Sequence, residues 1–173
     1  MKKTTIAWLA SASFFVLTFV HTDQIGAQQS VRVRVNRWLE VRQVFGNVTY
    51  LKGGSSRRAK VGDRLQVVGD GLRTEPNASV RLAIDTEVGF VTIQEKTTVR
   101  IQGLQVAPDN GRITRLHVSG GQVQVQVRPF THRGSRLEVT TPSSVSGVRG
   151  TQFGITVQPN GRTGLATLEG SVT

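Results

Sequence analysis

The sequence predicts an all-β protein, and three observations carry that prediction. Apolar residues recur at every second position, as in Val80, Leu82 and Ile84, in Val99 and Ile101, in Val123, Val125 and Val127, and in Phe153, Ile155 and Val157. Residues two apart share one face of a strand, so each run offers one apolar and one polar face. Helical periodicity does not compete with this pattern. Turn signals separate the runs at Gly53-Gly54, Asp70-Gly71, Asn110-Gly111, Gly120-Gly121 and Asn160-Gly161, and Asn-Gly supplies the positive φ angles that a tight hairpin demands.

From the N-terminus, Lys2 and Lys3 precede an apolar run from Ile6 to Val20, and Ile25-Gly26-Ala27 ends in a small residue. This is the pattern of a secretory signal peptide, with cleavage expected after Ala27. The run holds only 15 residues, interrupted by Ser11, Ser13 and Thr18, whereas a spanning helix needs about 20. No stable membrane span is therefore expected after cleavage, and the chain is placed outside the cytoplasm, in a periplasm or secreted. Without a cysteine, the chain offers neither a lipid anchor site nor a disulfide. Its stability rests on strand pairing and core packing.

Residues 28–44 read as a basic N-terminal strand or linker. Val31-Arg-Val-Arg-Val35 gives one apolar and one basic face, and Arg37 and Arg42 extend the charge. The basic side suits a solvated edge strand, which like charges protect from aggregation. It also suits a docking strip for an acidic partner, built from Arg32, Arg34, Arg37 and Arg42. Arg57, Arg58 and Lys60 form a second basic cluster in a Gly/Ser loop.

The remaining chain, 45–173, reads as one all-β domain. Gly161 is expected to reverse the chain between the Phe153 and Leu165 strands. At Gly103 the apolar parity shifts from Val99 and Ile101 to Leu104 and Val106, which predicts a bulge or bend. Strands of this length at spacings of roughly 8 to 12 residues fit a sandwich, a small barrel or a solenoid-like stack. Periodicity does not choose among them.

Composition bounds the function. The chain holds 22 Lys and Arg against 11 Asp and Glu; residues 1–27 include Lys2, Lys3 and Asp23, so the remainder keeps 20 against 10. Such an excess attracts polyanions. Nucleic acid is not the expected one, since the few aromatics do not interleave with the basic residues as a stacking platform would. His117 and His132 have no metal-like spacing to another ligand, so no metal site is expected. Asp85 and Glu87 read as turn acids rather than as a glycosidase pair. Ser143, Ser144 and Ser146 lie in a turn-like run without a nucleophile elbow, and neither catalytic residues nor a cofactor are expected.

Five elements carry a resemblance: Val61-Gly62-Asp63-Arg64-Leu65, Gly69-Asp70-Gly71-Leu72-Arg73-Thr74, Val139-Thr140-Thr141-Pro142, Val145-Ser-Gly-Val-Arg-Gly-Thr-Gln-Phe153 and Leu168-Glu-Gly-Ser-Val172. In this order they resemble the FecR-domain family over roughly Phe45 to Thr173. In physical terms the longest element suggests a tight chain reversal between two strands. The resemblance implies a non-enzymatic sensing or protein-interaction module of the bacterial envelope and tilts the fold towards a solenoid-like stack. The best-known members are anti-sigma regulators with a cytoplasmic helical segment and a membrane span, for which this sequence has no counterpart. Family members also continue with further strand, so a domain truncated at its C-terminal end and a short natural variant both stay open. Two partners are expected as alternatives: an envelope protein received at a strand edge or sheet face, or an anionic cell-envelope polysaccharide or cell-wall polymer held by the basic strip together with Arg57, Arg58 and Lys60.

Overall fold

The computed structural model describes residues 37–85, 88–148 and 152–169, all within the compact unit Arg34–Thr173. The expected signal peptide and the basic run through Arg32 and Arg34 lie outside the described residues. Alternation becomes strand throughout: β1 (Leu39–Phe45), β2 (Val48–Lys52), β3 (Ser55–Arg58), β4 (Arg64–Leu65), β5 (Gly71–Thr74), β6 (Ser79–Ile84), β7 (Gly89–Ile93), β8 (Thr98–Val106), β9 (Arg112–Val127), β10 (Arg136–Thr140), β11 (Val145–Val148), β12 (Gln152–Val157) and β13 (Thr163–Glu169). No described residue is helical. The protein is all-β.

One hydrogen-bonded path runs β3-β2-β5-β8-β9-β7-β6-β1-β4. The long strand β9 organises it. Its first half pairs with β8 and β10, while its second half, from Gly121 on, pairs with β7 and β12. β11 extends the first half of the sheet beyond β10, and β13 extends the second half beyond β12. The sheet curls about β9, and apolar residues of both halves fill one core, with Leu72, Ile101, Leu116 and Leu137 from the first and Leu39, Leu82, Ile93, Phe153 and Ile155 from the second. Within β9 the alternation is plain: Val123, Val125 and Val127 are buried, and the glutamines between them are exposed.

The ladders correct the solenoid-like expectation. Stacked coils would make parallel ladders, yet every ladder is antiparallel except that of β9 with β10. A curled antiparallel sheet around a shared core, in the form of a half-barrel, is the arrangement. The expected boundary between residues 44 and 45 falls inside β1, whose Leu39 and Val41 are fully buried. The first strand is thus part of the domain core.

Local expectations fare unevenly. The β8–β9 register does shift between Ile101 and Gly103. Gly161, at φ +81°, does close the β12–β13 hairpin, where Gln158 N–H donates to Arg162 O at 2.9 Å. Gly120-Gly121, in contrast, lies within β9 and is a bend rather than a reversal. Strands β11 and β12 likewise pair with β10 and β9 and not with each other. Val145–Val148 therefore belongs to one half of the sheet and Gln152–Val157 to the other, so β11 and β12 do not form the expected hairpin with each other; Arg149, Gly150 and Thr151, on which the expected reversal falls, lie outside the described residues.

Candidate interaction surface

The turn between β3 and β4 positions the surface. Asp63 Oδ2 accepts the Lys60 N–H at 2.8 Å and Arg57 Nη1 at 2.7 Å, and Oδ1 accepts Arg57 Nη2 at 2.9 Å. The Arg57 hydrogen bonds hold the Asp63 carboxyl below the usual carboxylate range, helped by the Lys60 N–H. The turn is stitched to β1 through Gly62 N–H to Val41 O and Val41 N–H to Asp63 O, both 2.8 Å. Underneath, Arg57 lies 4.6 Å from the Tyr50 ring centre. The Tyr50 hydroxyl sits 3.2 Å from Asp70 Oδ2, an oxygen that also accepts the Gln66 and Val67 N–H groups. Burial, with the Asp70 charge behind it, pushes the Tyr50 hydroxyl up to about 12. Both Gly-Asp elements of the sequence thus use a short carboxylate to lock a turn.

Beyond Val41 the strand changes character. The β1–β6 register shifts between Val41 and Gln43. A bulge inserts one extra residue and so inverts the facing of all that follow. Leu39 and Val41 point into the core, Val44 packs against it, and Phe45 is turned outward, 70% exposed. Unbulged alternation from Val41 would have buried Phe45. Strand β4 pairs only with Leu39 and Glu40, so among the described residues β6 is the only strand beside Gln43, Val44 and Phe45. An open groove of about 550 Å³ runs from Val61, itself 65% exposed, across residues 42–45 to Arg81 and Thr92. Among the described residues, it joins a strand edge without a second strand neighbour to two exposed apolar side chains.

The expected site residues divide. Arg32 and Arg34 lie outside the described residues. Arg37 is withdrawn from the surface: it is 5% exposed, with Nε at 3.1 Å and Nη2 at 2.8 Å from the Asp85 carboxylate. Its remaining donors reach Gln105 O, Ile113 O and Thr114 Oγ1, each at 2.7 Å. A guanidinium so fully bonded is a structural cross-link, and Arg37 is corrected out of the docking strip. Arg42 stays exposed on the groove and pairs with Glu40 at 2.9 Å. Arg57 is engaged by Asp63, while Arg58 and Lys60 are exposed and form no ion pair among the described residues. The turn stitched to β1 gathers Arg42, Arg57, Arg58 and Lys60 at one end of the sheet. Sequence reasoning missed Phe45 and Val61. The spacing of Val41 and Val44, three apart in a strand of period two, was the available signal.

The His117 Nδ1 lies 3.1 Å from Thr140 Oγ1, and no group of three or more His, Cys, Asp or Glu among the described residues is placed to hold a metal. A search of curated proteins finds no match, and a search of solved structures finds none either. The family model for FecR protein matches residues 70–173, from the start of the β5 segment to the end of the chain. The Val61–Leu65 turn and β1 precede the matched stretch. The FecR family is generally a regulatory signalling family. With more than half of its residues under that match, and the Gly-Asp and Thr-Pro elements in place, the chain belongs to the FecR protein family.

Proposed function

We propose that the chain is a non-enzymatic, extracytoplasmic interaction module that senses an envelope protein by receiving an extended segment of it along the outer edge of β1. The observation that carries this reading is the bulge that turns Phe45 outward beside an edge with no described strand neighbour. Main-chain pairing along such an edge supplies affinity, and alternate side chains of the incoming segment supply specificity through pockets. Phe45 and Val61 would take its apolar residues, and Arg42 and Arg81, which line the same groove, favour acidic ones between them. Signalling then follows from occupancy, with the partner relaying it.

The alternative, an anionic envelope polymer held by the basic strip, is supported by Arg58 and Lys60, which are exposed and form no ion pair among the described residues. Arg37 no longer contributes to it, and Arg42 and Arg57 are partly neutralised. The two readings part on salt, because charge contacts are screened beyond about 8 Å at physiological ionic strength whereas apolar burial is not. The full-length protein and its Phe45→Asp and Val61→Asp variants are used to capture partners from an envelope extract, with low-salt and high-salt washes. Both side chains are exposed, so the variants keep the fold. A stoichiometric protein retained in high salt by the wild type and lost from both variants is expected. Retention unchanged by both substitutions would overturn the edge reading, and glycan released by salt and lost on Arg58→Gln with Lys60→Gln would establish the polymer instead.

A further inference from the structure

A second concavity lies at the opposite end of the β1–β6 pair. It measures about 520 Å³ and opens between the β6–β7 connection, the first residues of β9 and β10, and the segment that follows β9. Cavities of roughly 300 to 1,000 Å³ are the size that encloses a small organic ligand. Ile84, Val88 and Leu137 give it apolar lining, with half-buried Phe130 packed against the core at its side. Arg37, Arg112, Arg128 and Arg136 also line it, against Asp85 as the one described carboxylate of the lining.

The charge balance around the cavity decides what it suits. Arg37 already engages both oxygens of Asp85, and Arg112 Nη1 reaches Oδ2 only at 3.6 Å. Glu138, just outside, is shared by Arg115 and Arg136. Asp109, near His132, is occupied by the N–H groups of Gly111 and Gly134 at 3.0 and 2.7 Å. Arg128 forms no ion pair among the described residues. Among the described carboxylates, Asp85 and Glu138 thus each face two guanidinium groups and Asp109 is held by neutral N–H groups, which leaves donors of Arg112 and Arg128 unused at the cavity. Guanidinium forks match the two oxygens of a carboxylate or phosphoryl group.

We infer that this cavity is a binding site for a small organic anion, with its carboxylate or phosphoryl head on Arg112 and Arg128 and its apolar body against Phe130 and Leu137. The buried Arg37–Asp85 pair makes the site possible. Arg37 cancels the one described negative charge on the wall and holds the ends of β6, β8 and β9 in fixed relation through Asp85, Gln105 O and Ile113 O. The site lies within the matched family segment for Arg112, Arg128 and Arg136, and it is separate from the β1 groove, so either can fail without the other.

Calorimetric titration of the full-length protein with phenyl phosphate, benzoate, inorganic phosphate and benzyl alcohol tests the site. Saturable binding of phenyl phosphate or benzoate, one per chain, is expected, and which of the two binds more tightly identifies the head group. Arg112→Gln with Arg128→Gln should weaken it at least about tenfold, the scale of losing charge-assisted hydrogen bonds. Both side chains are substantially exposed, so an unchanged melting temperature shows that the double variant is folded. Phe130→Ala should weaken the aromatic anions and leave inorganic phosphate unaffected. Three outcomes overturn the inference: no saturable binding of either aromatic anion, affinity untouched by the double variant, or inorganic phosphate or benzyl alcohol binding as well as the aromatic anions.

Discussion

Arg37 shows how far a single residue's role depends on a partner that sequence does not announce. In the chain it sits among other arginines and looks like one more surface charge. In the fold it is buried against Asp85, 48 residues away, and donates to two carbonyls and a hydroxyl besides. Removing one member of a buried pair leaves the other charge uncompensated, which costs about 3–5 kcal/mol. We therefore expect Arg37→Met to lose that much stability in urea denaturation, and Arg58→Gln, at an exposed position, to change it by less than about 0.5 kcal/mol. Arg37→Met with Asp85→Asn should recover part of the loss, because it removes both charges. Asparagine also suits the positive φ, +50°, of position 85. An Arg37→Met variant as stable as the wild type would refute the cross-link. Phe45 carries the complementary lesson, since an aromatic residue in an alternating strand reads as core and only the register mismatch between β1 and β6 turns it out.

At the scale of the element, β9 was legible as strand but not as one strand. Its alternation over Leu116 to Val118 and over Val123 to Val127 is plain in the sequence, and the glycine pair between them looks like a turn. A turn and a strand bend both call for glycine, and what separates them is the neighbour. Gly121 has φ +93°, and a Cβ there would stand 2.1 Å from Thr97 Oγ1 and 2.6 Å from Thr97 Cα. That same Thr97 hydroxyl accepts the Gln122 N–H at 2.9 Å, fixing the bend where β9 passes from one half of the sheet to the other. Gly120 has no atom within 4 Å of its added Cβ. Gly121→Ala should therefore cost about 3 kcal/mol, from the backbone conformation and the contact with Thr97 together, whereas Gly120→Ala should stay within about 1 kcal/mol of wild type. Equal effects of the two substitutions on chemical denaturation would rule out this account of the bend. The Gly103 shift and the Asn160-Gly161 hairpin were readable because their cause is local. The placement of β11 and β12 in different halves of the sheet was not, because the strands they pair with come from earlier in the chain.

For the whole molecule, the basic excess makes the few carboxylates disproportionately important. Asp63, Asp109 and Glu138 each join segments of the fold, and each has its carboxyl held below the usual range. The main cause is Arg57 for Asp63, the Gly134 N–H for Asp109 and Arg136 for Glu138, with desolvation opposing in every case. A carboxylate whose folded value is depressed binds protons more weakly in the native state than in the unfolded chain. The stability it contributes is present above the unfolded value, near pH 4, and is lost as the pH falls through the folded value. Protonation also removes negative charge from a chain that already carries twice as many basic as acidic residues, so the remaining arginines repel one another more strongly. The melting temperature should thus hold from pH 7 to about pH 5 and fall as the pH drops below about 4, with added salt restoring part of it at low pH. Glu138 offers the sharper check, since it lies between Arg115 and Arg136 on adjoining strands. Glu138→Gln should lower the melting temperature at pH 7 and make little difference at pH 2, where the wild-type carboxyl is itself neutralised. A deficit of the same size at both pH values would mean that Glu138 acts through packing and not through charge. The acid sensitivity would then have to come from Asp63 and Asp109 alone.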